Sequence, residues 1–492
     1  VGKDLSTIAF APEDRVTYRH KVRRCLDVFA RMLDEGAFET ADGMTGLEIE
    51  LNLVEDNGRP AMRNAEVLGY LADPTFQSEL GQFNLELNAP PRLIGGDGFG
   101  AYEREILESL RRAADRAAKA DSGIVLIGML PTLTPDDLVL ANLSANHRYR
   151  LLNDEMAVAR GEQFHLDIHG IERLQSASDS IAPEAACTSV QFHRQVSPDR
   201  FARYWNASQA VAGVQVAIGA NSPYFHGRRL WAETRIALFE QATDVRPDEL
   251  KAQGVRPRVW FGERWIDSVL DLFEENVRFF PPLLPIMTDE DPAGVLAAGG
   301  VPHLGELRLH NGTVYRWNRP VYDVMNGRPH LRVENRVLPS GPTVVDLLAN
   351  AAFYFGLIHQ LAEEERPIWH RLPFATAEDN FHRGARDGIT AIMNWPTLGE
   401  IPVTELVRAV LLPRAYRGLD LLGVHPIHRD RLLRIIEERC RTARNGASWQ
   451  TEAVCTAELR RGLSRQAALH DMLMRYWALQ QSNEPVHTWP TD

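Results

Sequence analysis

The sequence predicts an α+β fold: an antiparallel β-sheet covered by helices, followed by a helical C-terminal region. Three observations carry this. Several short segments alternate apolar and polar residues with the period of two that sends side chains to opposite faces of a strand. Between them lie longer segments with apolar residues at helical spacing. From Pro342 onward the pattern is mostly helical, with breaks at Pro367, Pro396 and Pro413. The chain has 492 residues, 44% hydrophobic and 24% charged, enough for one large core. No internal repeat, low-complexity tract or flexible linker is evident. Residues 1–400 are therefore expected to form one body, with 401–492 a helical region packed on it.

The first element is a helix over residues 14–35, with Val22, Leu26, Phe29, Met32 and Leu33 at helical spacing and Gly36 after it. A strand over 46–53 follows. Leu47, Ile49, Leu51 and Leu53 take one face, and Glu48, Glu50 and Asn52 the other. A second strand lies within 78–89. Phe83, Leu85 and Leu87 oppose Asn84, Glu86 and Asn88, and Pro90-Pro91 is expected to end it. Residues 99–121 read as an amphipathic helix and 123–130 as a buried strand. Arg148, Tyr149 and Arg150 fall in a loop. Residues 187–196 alternate again, Val190 and Phe192 against Ser189, Gln191 and His193. Ser197-Pro198 then opens a helix to about residue 218. Residues 259–279 read as helix. Residues 303–337 read as strands, with a hairpin turn at Asn311-Gly312 and a stop at Pro320. On the last of these strands Arg332, Glu334 and Arg336 share a face.

A formal net charge of −12 argues against nucleic acid or an anionic membrane surface as a partner. No apolar run near the length of a membrane span, about 20 residues, stands out. Positive charge is almost all arginine. The lysines are Lys3, Lys21, Lys119 and Lys251, and none sits in a glycine-rich phosphate loop. Phosphates, if handled, must be neutralised by arginine and metal ions. Cys25, Cys187, Cys440 and Cys455 show no C-x-x-C spacing, so free thiols and a reducing, cytoplasmic setting are expected.

The polar strand faces repeat one chemistry. Collected on one face of a sheet, Glu48, Glu50 and Glu86 would repel unless a cation lay among them. Hard divalent cations take oxygen ligands, and magnesium bridges carboxylates to substrate phosphates. The interleaved arginines match phosphate or carboxylate oxygens. For any single strand, cross-strand ion pairs in solvent are the alternative. Recurrence, and the lack of lysine on these faces, favours a site.

In order and spacing, these segments resemble the glutamate–cysteine ligase superfamily of carboxylate–amine ligases, in the branch of plant-type and actinobacterial enzymes. Gly46-Leu47-Glu48-Ile49-Glu50 resembles its first metal and nucleotide strand. Glu79 and Glu86 resemble its second acidic pair. Thr188 to His193 resembles the strand carrying a His or Gln metal ligand, here Gln191. Ala220-Asn221-Ser222-Pro223 with Glu233-Thr234-Arg235 resembles the turn and arginine that bind glutamate. Val333-Glu334-Asn335-Arg336 with Ser340-Gly341-Pro342 resembles the Leu-Glu-x-Arg strand, whose Glu holds metal and whose Arg contacts phosphates. Residues 378–388 resemble the Asn-x-x-Arg-x-Ala-Arg-x-Gly helix of the bacterial branch.

The resemblance implies a curved antiparallel sheet of the glutamine-synthetase-like, glutamate–cysteine ligase type. It implies ATP and Mg2+, with Glu48, Glu50, Glu79, Glu86, Gln191 and Glu334 as metal ligands. Arg336 and Glu50 become catalytic candidates. Glu48, Arg336, Arg316 and Arg319 are the nucleotide candidates, and Arg235, Asn221 and His193 the substrate candidates. The implied reaction activates the γ-carboxylate of glutamate as an acyl phosphate and joins it to an amine, cysteine in the family's name reaction. The catalytic domain would then span 1–400. Amino-acid substrates, as small molecules, are the expected partners, and a homo-oligomer stays open. The alternatives are a same-fold ligase with another acid or amine, a non-catalytic nucleotide-binding relative, and a metallohydrolase. The last lacks a His-rich pattern such as H-E-x-x-H.

Overall fold

The computed structural model describes residues 10–40 and 43–491. A curved antiparallel sheet of seven strands lies at its centre: β1 (Met44–Val54), β2 (Phe76–Ser78), β3 (Asn84–Leu93), β4 (Gly123–Val125), β5 (Ser189–Gln195), β6 (Asn318–Met325) and β7 (Arg328–Pro339). The spatial order is β6-β7-β5-β1-β3-β2. β5 pairs with Thr45–Ile49 of β1, and β4 continues along the same edge, pairing with Asn52–Val54. Glu50 stands opposite Glu86, Asn52 opposite Asn84, and Glu48 opposite Gln191. Glu334 of β7 stands opposite His193 on one side and Arg319 on the other. The period-two alternation thus places the polar sets of five strands on a single face.

The opposite face is apolar. Leu47, Ile49, Leu51, Leu85, Leu87, Val190, Phe192 and Val333 are all buried. Helices Pro198–Gly219 and Val344–Glu363 cover it, with the Phe192 ring 5.9 Å from Tyr354 and 5.8 Å from Phe355. Burying each large apolar side chain stabilises the fold by about 1.5–3 kcal/mol. A one-residue slip would press the carboxylates against these helices, so the register is strongly specified.

The sequence reading overlooked one apolar element. Helix Val344–Glu363 is long and apolar enough to cross a membrane, but 89% of its apolar stretch is buried inside the protein. A helix apolar on all sides is here a core helix. It crosses helix Leu412–Leu421 where Gly356 meets Gly418, and a Cβ on Gly418 would lie 1.7 Å from the Gly356 carbonyl oxygen. Gly418→Ala is expected to destabilise by about 3 kcal/mol through overpacking. Denaturant unfolding measures this, and an unchanged midpoint would show that the crossing can open.

Other departures have local causes. Residues Gly305–Gly312 form a helix, not a strand and hairpin turn. Pro320 does not end its strand, because β6 is an edge strand where a missing N–H is tolerated. Pro90 and Pro91 lie within β3, where its register against β1 shifts and beyond the reach of β2. Arg148 to Arg150 open a helix, His147–Arg160, whose cap Asn146 accepts from the Arg148 N–H. The buried strand expected over 123–130 is only β4, and within 259–279 only Val269–Phe279 is α-helical. Pro413 sits in the first turn of Leu412–Leu421 and does not break it.

Helices Pro426–Thr442, Gly446–Arg461 and Arg465–Gln480 pack on the body. Buried Arg439 donates to Asp346 at 2.8 Å and to Asn350 at 2.7 Å. The Tyr476 hydroxyl donates to the Leu126 carbonyl at 2.8 Å. The boundary drawn at 400/401 falls inside strand Gly399–Pro402, paired with Ile392–Trp395. All four cysteines are free thiols.

Candidate functional site

Glu50 occupies the middle of the polar face and is held rigidly. Ser189 donates to it from its N–H at 2.6 Å and its hydroxyl at 2.9 Å, and Gln191 from its amide at 3.2 Å. Glu86 accepts from Gln77 and, at 2.8 Å, from Asn88. Glu79 follows β2 and lies against Glu86, whose charge raises it further. Glu334 accepts twice from Arg319, at 2.7 and 3.2 Å. Its other oxygen, Oε1, lies 3.4 Å from Arg336 but makes no hydrogen bond. His193 Nδ1 accepts from Arg332 at 3.1 Å. Its Nε2 faces Glu48 at 3.0 Å, an ion-pair distance without hydrogen-bond alignment.

Charge is graded across this face. Burial pushes Glu48 up, but His193, Arg319 and Arg332 outweigh it and hold the carboxyl down at about 2. Burial is likewise overcome at Glu334 by Arg319, Arg336 and His193, so it too is lowered. The other end is the reverse. Burial raises Glu50 despite the Ser189 hydrogen bonds and the nearby Arg336 and Arg235. Burial, with Glu48 and Glu50, pushes Glu86 up to about 7. Burial, with Glu86, Glu50 and Glu48, raises Glu79 well above the carboxylate range. Carboxylates are therefore matched by cations around Glu48 and Glu334, and short of positive charge around Glu50, Glu79 and Glu86.

A cavity of about 70 Å³ opens at the cation-poor end, lined by Glu50, Glu79, Glu184, Arg235, Trp317 and Arg336 among others. Arg235 reaches this wall while donating to Glu233 at 3.0 Å and to the Val337 carbonyl at 2.5 Å, its guanidinium 5.7 Å from the Trp317 ring. Glu184, Cys187, Phe239 and Trp317 also line the cavity and were not anticipated from sequence. Burial raises the Cys187 thiol well above its ordinary range, which disfavours the thiolate.

Three sequence candidates lie elsewhere. Arg316 points away from the cavity, donating to Glu275 at 2.9 Å and Asn276 at 3.0 Å with its guanidinium 4.6 Å from the Trp260 ring. It is half of a buried ion pair, not a phosphate contact. Removing one member of such a pair destabilises strongly. Arg316→Met is expected to lower stability by about 3 kcal/mol and leave nucleotide affinity unchanged. Weakened nucleotide binding in a folded variant would return Arg316 to the site. Asn221 is fully buried outside the cavity wall. It donates to the Ser340 carbonyl at 2.8 Å and the Tyr476 hydroxyl at 2.9 Å, and accepts from Gln450 at 2.8 Å, so it clamps the C-terminal helices to the end of β7. The motif at 378–388 is also architectural. Asn380 exchanges hydrogen bonds of 2.8 and 2.9 Å with the Asn394 backbone, and a Cβ on Gly384 would lie 2.3 Å from the Gly213 carbonyl oxygen.

The donor set fits magnesium. Five carboxylates and one amide present hard oxygen donors on one face, and among them Glu79 and Glu86 are raised by burial and by neighbouring carboxylates with no cation offsetting them. No three His, Cys, Asp or Glu side chains among the described residues converge as a ready-made cage. Magnesium does not require one, since it keeps waters and binds one or two carboxylates together with substrate phosphates.

A sequence profile of the family described as glutamate-cysteine ligase family 2 matches residues 44–468. Among solved structures, the glutamate–cysteine ligase (gshA) of Francisella tularensis in complex with AMP aligns with a TM-score of 0.55 and 14% identity, covering 93% of this chain and 91% of that one. A bifunctional glutathione synthetase from Pasteurella multocida aligns with a TM-score of 0.51 and 12% identity, covering 95% of this chain and 55% of that one. At such identities the likeness is one of fold. No curated protein sequence matches the chain.

Proposed function

The chain belongs to glutamate–cysteine ligase family 2, and on that premise we propose an ATP- and Mg2+-dependent ligase that activates the γ-carboxylate of glutamate and joins it to an amine, cysteine before others. The observation that carries the reading is the graded polar face. Phosphoryl transfer is mostly positioning and neutralisation of charge. A carboxylate cluster short of positive charge, bordered by arginines, is the arrangement such chemistry needs.

In the proposed reaction a carboxylate oxygen of glutamate attacks the terminal phosphorus of ATP, and ADP leaves. The amine nitrogen then attacks the acyl carbon, phosphate leaves with the C–O bond pair, and the nitrogen loses its proton. Glu48, Glu50, Glu79, Glu86, Gln191 and Glu334 would hold Mg2+, which supplies neutralisation of the nucleotide phosphates. Arg336 lines the cavity beside Glu334 and neutralises the transferring phosphoryl group. Arg319, tied to Glu334, keeps that carboxylate charged and oriented. Glu50 is fixed by Ser189 and Gln191, so it needs no reordering when the substrates arrive. Arg235 receives the amino-acid carboxylate at the cavity wall. AMP in the Francisella tularensis relative supports a nucleotide substrate, and four free thiols accord with a cytoplasmic setting.

Amino-acid-dependent ADP release tests the reading. Protein with Mg2+, ATP, glutamate and cysteine is expected to release ADP and form an amide. Absence of ADP with cysteine and with a panel of amines would defeat the assignment to glutamate. Release with another acid or amine would keep the ligase and change its substrates.

A further inference from the structure

Glu184 lines the cavity but has no part in the chemistry above. It sits in the short 3-10 turn Ala182–Ala186, just before β5. Its Oε2 is buried and accepts no hydrogen bond, and burial, with Glu50, pushes the carboxyl up to about 7 despite the nearby charge of Arg336. A buried carboxylate oxygen left unpaired is destabilising by about 1–3 kcal/mol or more, so the fold holds it there against a penalty. The same cavity carries Arg235 and Arg336, with Trp317 and Phe239 in its wall. A carboxyl group that an ammonium would hold ionised, two guanidiniums and an aromatic wall around one space match the charges of a zwitterion.

We infer that Glu184 receives the ammonium group of the amino acid whose carboxylate is activated, so that the site takes an α-amino acid and rejects its desamino analogue. The inference rests on the ligase reading for which carboxylate is activated, and on geometry alone for ammonium recognition. A diacid without the amino group leaves Glu184 unpaired in a filled cavity. A site built to bond a polar group discriminates most strongly against the analogue that lacks it.

The test compares glutamate with glutarate, in ADP release and in calorimetric binding with Mg2+ and a non-hydrolysable ATP analogue. The wild type and Glu184→Gln are measured side by side. The wild type is expected to prefer glutamate by about 100-fold in both readouts. Glu184→Gln, of the same shape without the charge, should lose about 100-fold on glutamate and change within about threefold on glutarate. Its KM for ATP and its Mg2+ dependence should stay as in the wild type. Glu184→Asp keeps the charge and should recover part of the preference, which separates recognition from folding. Equal losses on both acids, a wild type without preference, or an altered Mg2+ dependence would overturn the inference. Failure of the ligase reading looks different: no ADP appears with any amine, while calorimetry still reports the preference and its loss in the variant.

Discussion

Glu86→Gln is expected to lower kcat by about 10³-fold while stabilising the metal-free protein at alkaline pH. Both effects have one origin. Glu86 stands directly opposite Glu50 and packs against Glu79. Burial, with the charges of Glu48 and Glu50, raises its carboxyl from 4.5 to about 7. The folded protein therefore binds more protons than the unfolded chain between those values, and stability falls as pH rises through that window. The penalty is absent below the lower value and complete above the upper one. A shift of this size corresponds to about 3 kcal/mol, shared among the three coupled carboxyls. Melting in EDTA at pH 5 and pH 8 measures it. The difference between the two pH values should be larger in the wild type than in Glu86→Gln. Added Mg2+ should raise the wild-type Tm most at pH 8, and the variant's much less. Parallel pH profiles would remove the repulsion, and full turnover in the variant would remove Glu86 from the site.

The sheet and its polar face were legible because alternation is a strong constraint. Once Leu47, Ile49 and Leu51 point to the core, Glu48 and Glu50 have only one place to go. The same logic carried Glu86, Gln191, His193, Glu334 and Arg336 onto that face. Glu79 lies on no strand, and only the family resemblance pointed to it. Alternation gives two faces without saying which is inward, and this misled the reading at Arg316. Charge suggested the site, yet the neighbouring Trp317 faces the cavity and Arg316 finds Glu275 and Trp260 behind it. Glu184 and Phe239 were invisible for another reason. They arrive from a 3-10 turn and a helix far apart in sequence, and only the closed topology brings them together. Leu304, Leu307 and Leu309 fit both periods over too short a span to separate strand from helix.

Arg336→Met is expected to reduce kcat by about 10³-fold, the scale at which a single arginine stabilises a transferring phosphoryl group. The position is fixed by backbone and not by side-chain bonding. The Arg336 N–H donates to the Trp317 carbonyl at 2.9 Å, next to a register shift between Asn335 and Leu338 that turns β7 toward the cavity. The guanidinium is 3.4 Å from Glu334 Oε1 without a hydrogen bond, so its donors can turn to a phosphoryl oxygen without breaking a strong contact. Burial disfavours its charge, but Glu334, Glu50 and Glu48 outweigh burial and keep it protonated. Stability should change little, since Arg319 still makes both of its hydrogen bonds to Glu334. KM for ATP should stay within about threefold, because an interaction made chiefly in the transition state lowers kcat and kcat/KM together. Arg336→Lys supplies a point charge in place of a planar fork and should recover only about tenfold. A variant that keeps kcat but raises KM would make Arg336 a ground-state nucleotide contact. One that keeps both would move the phosphoryl role to Arg319, whose own substitution would then have to carry the loss.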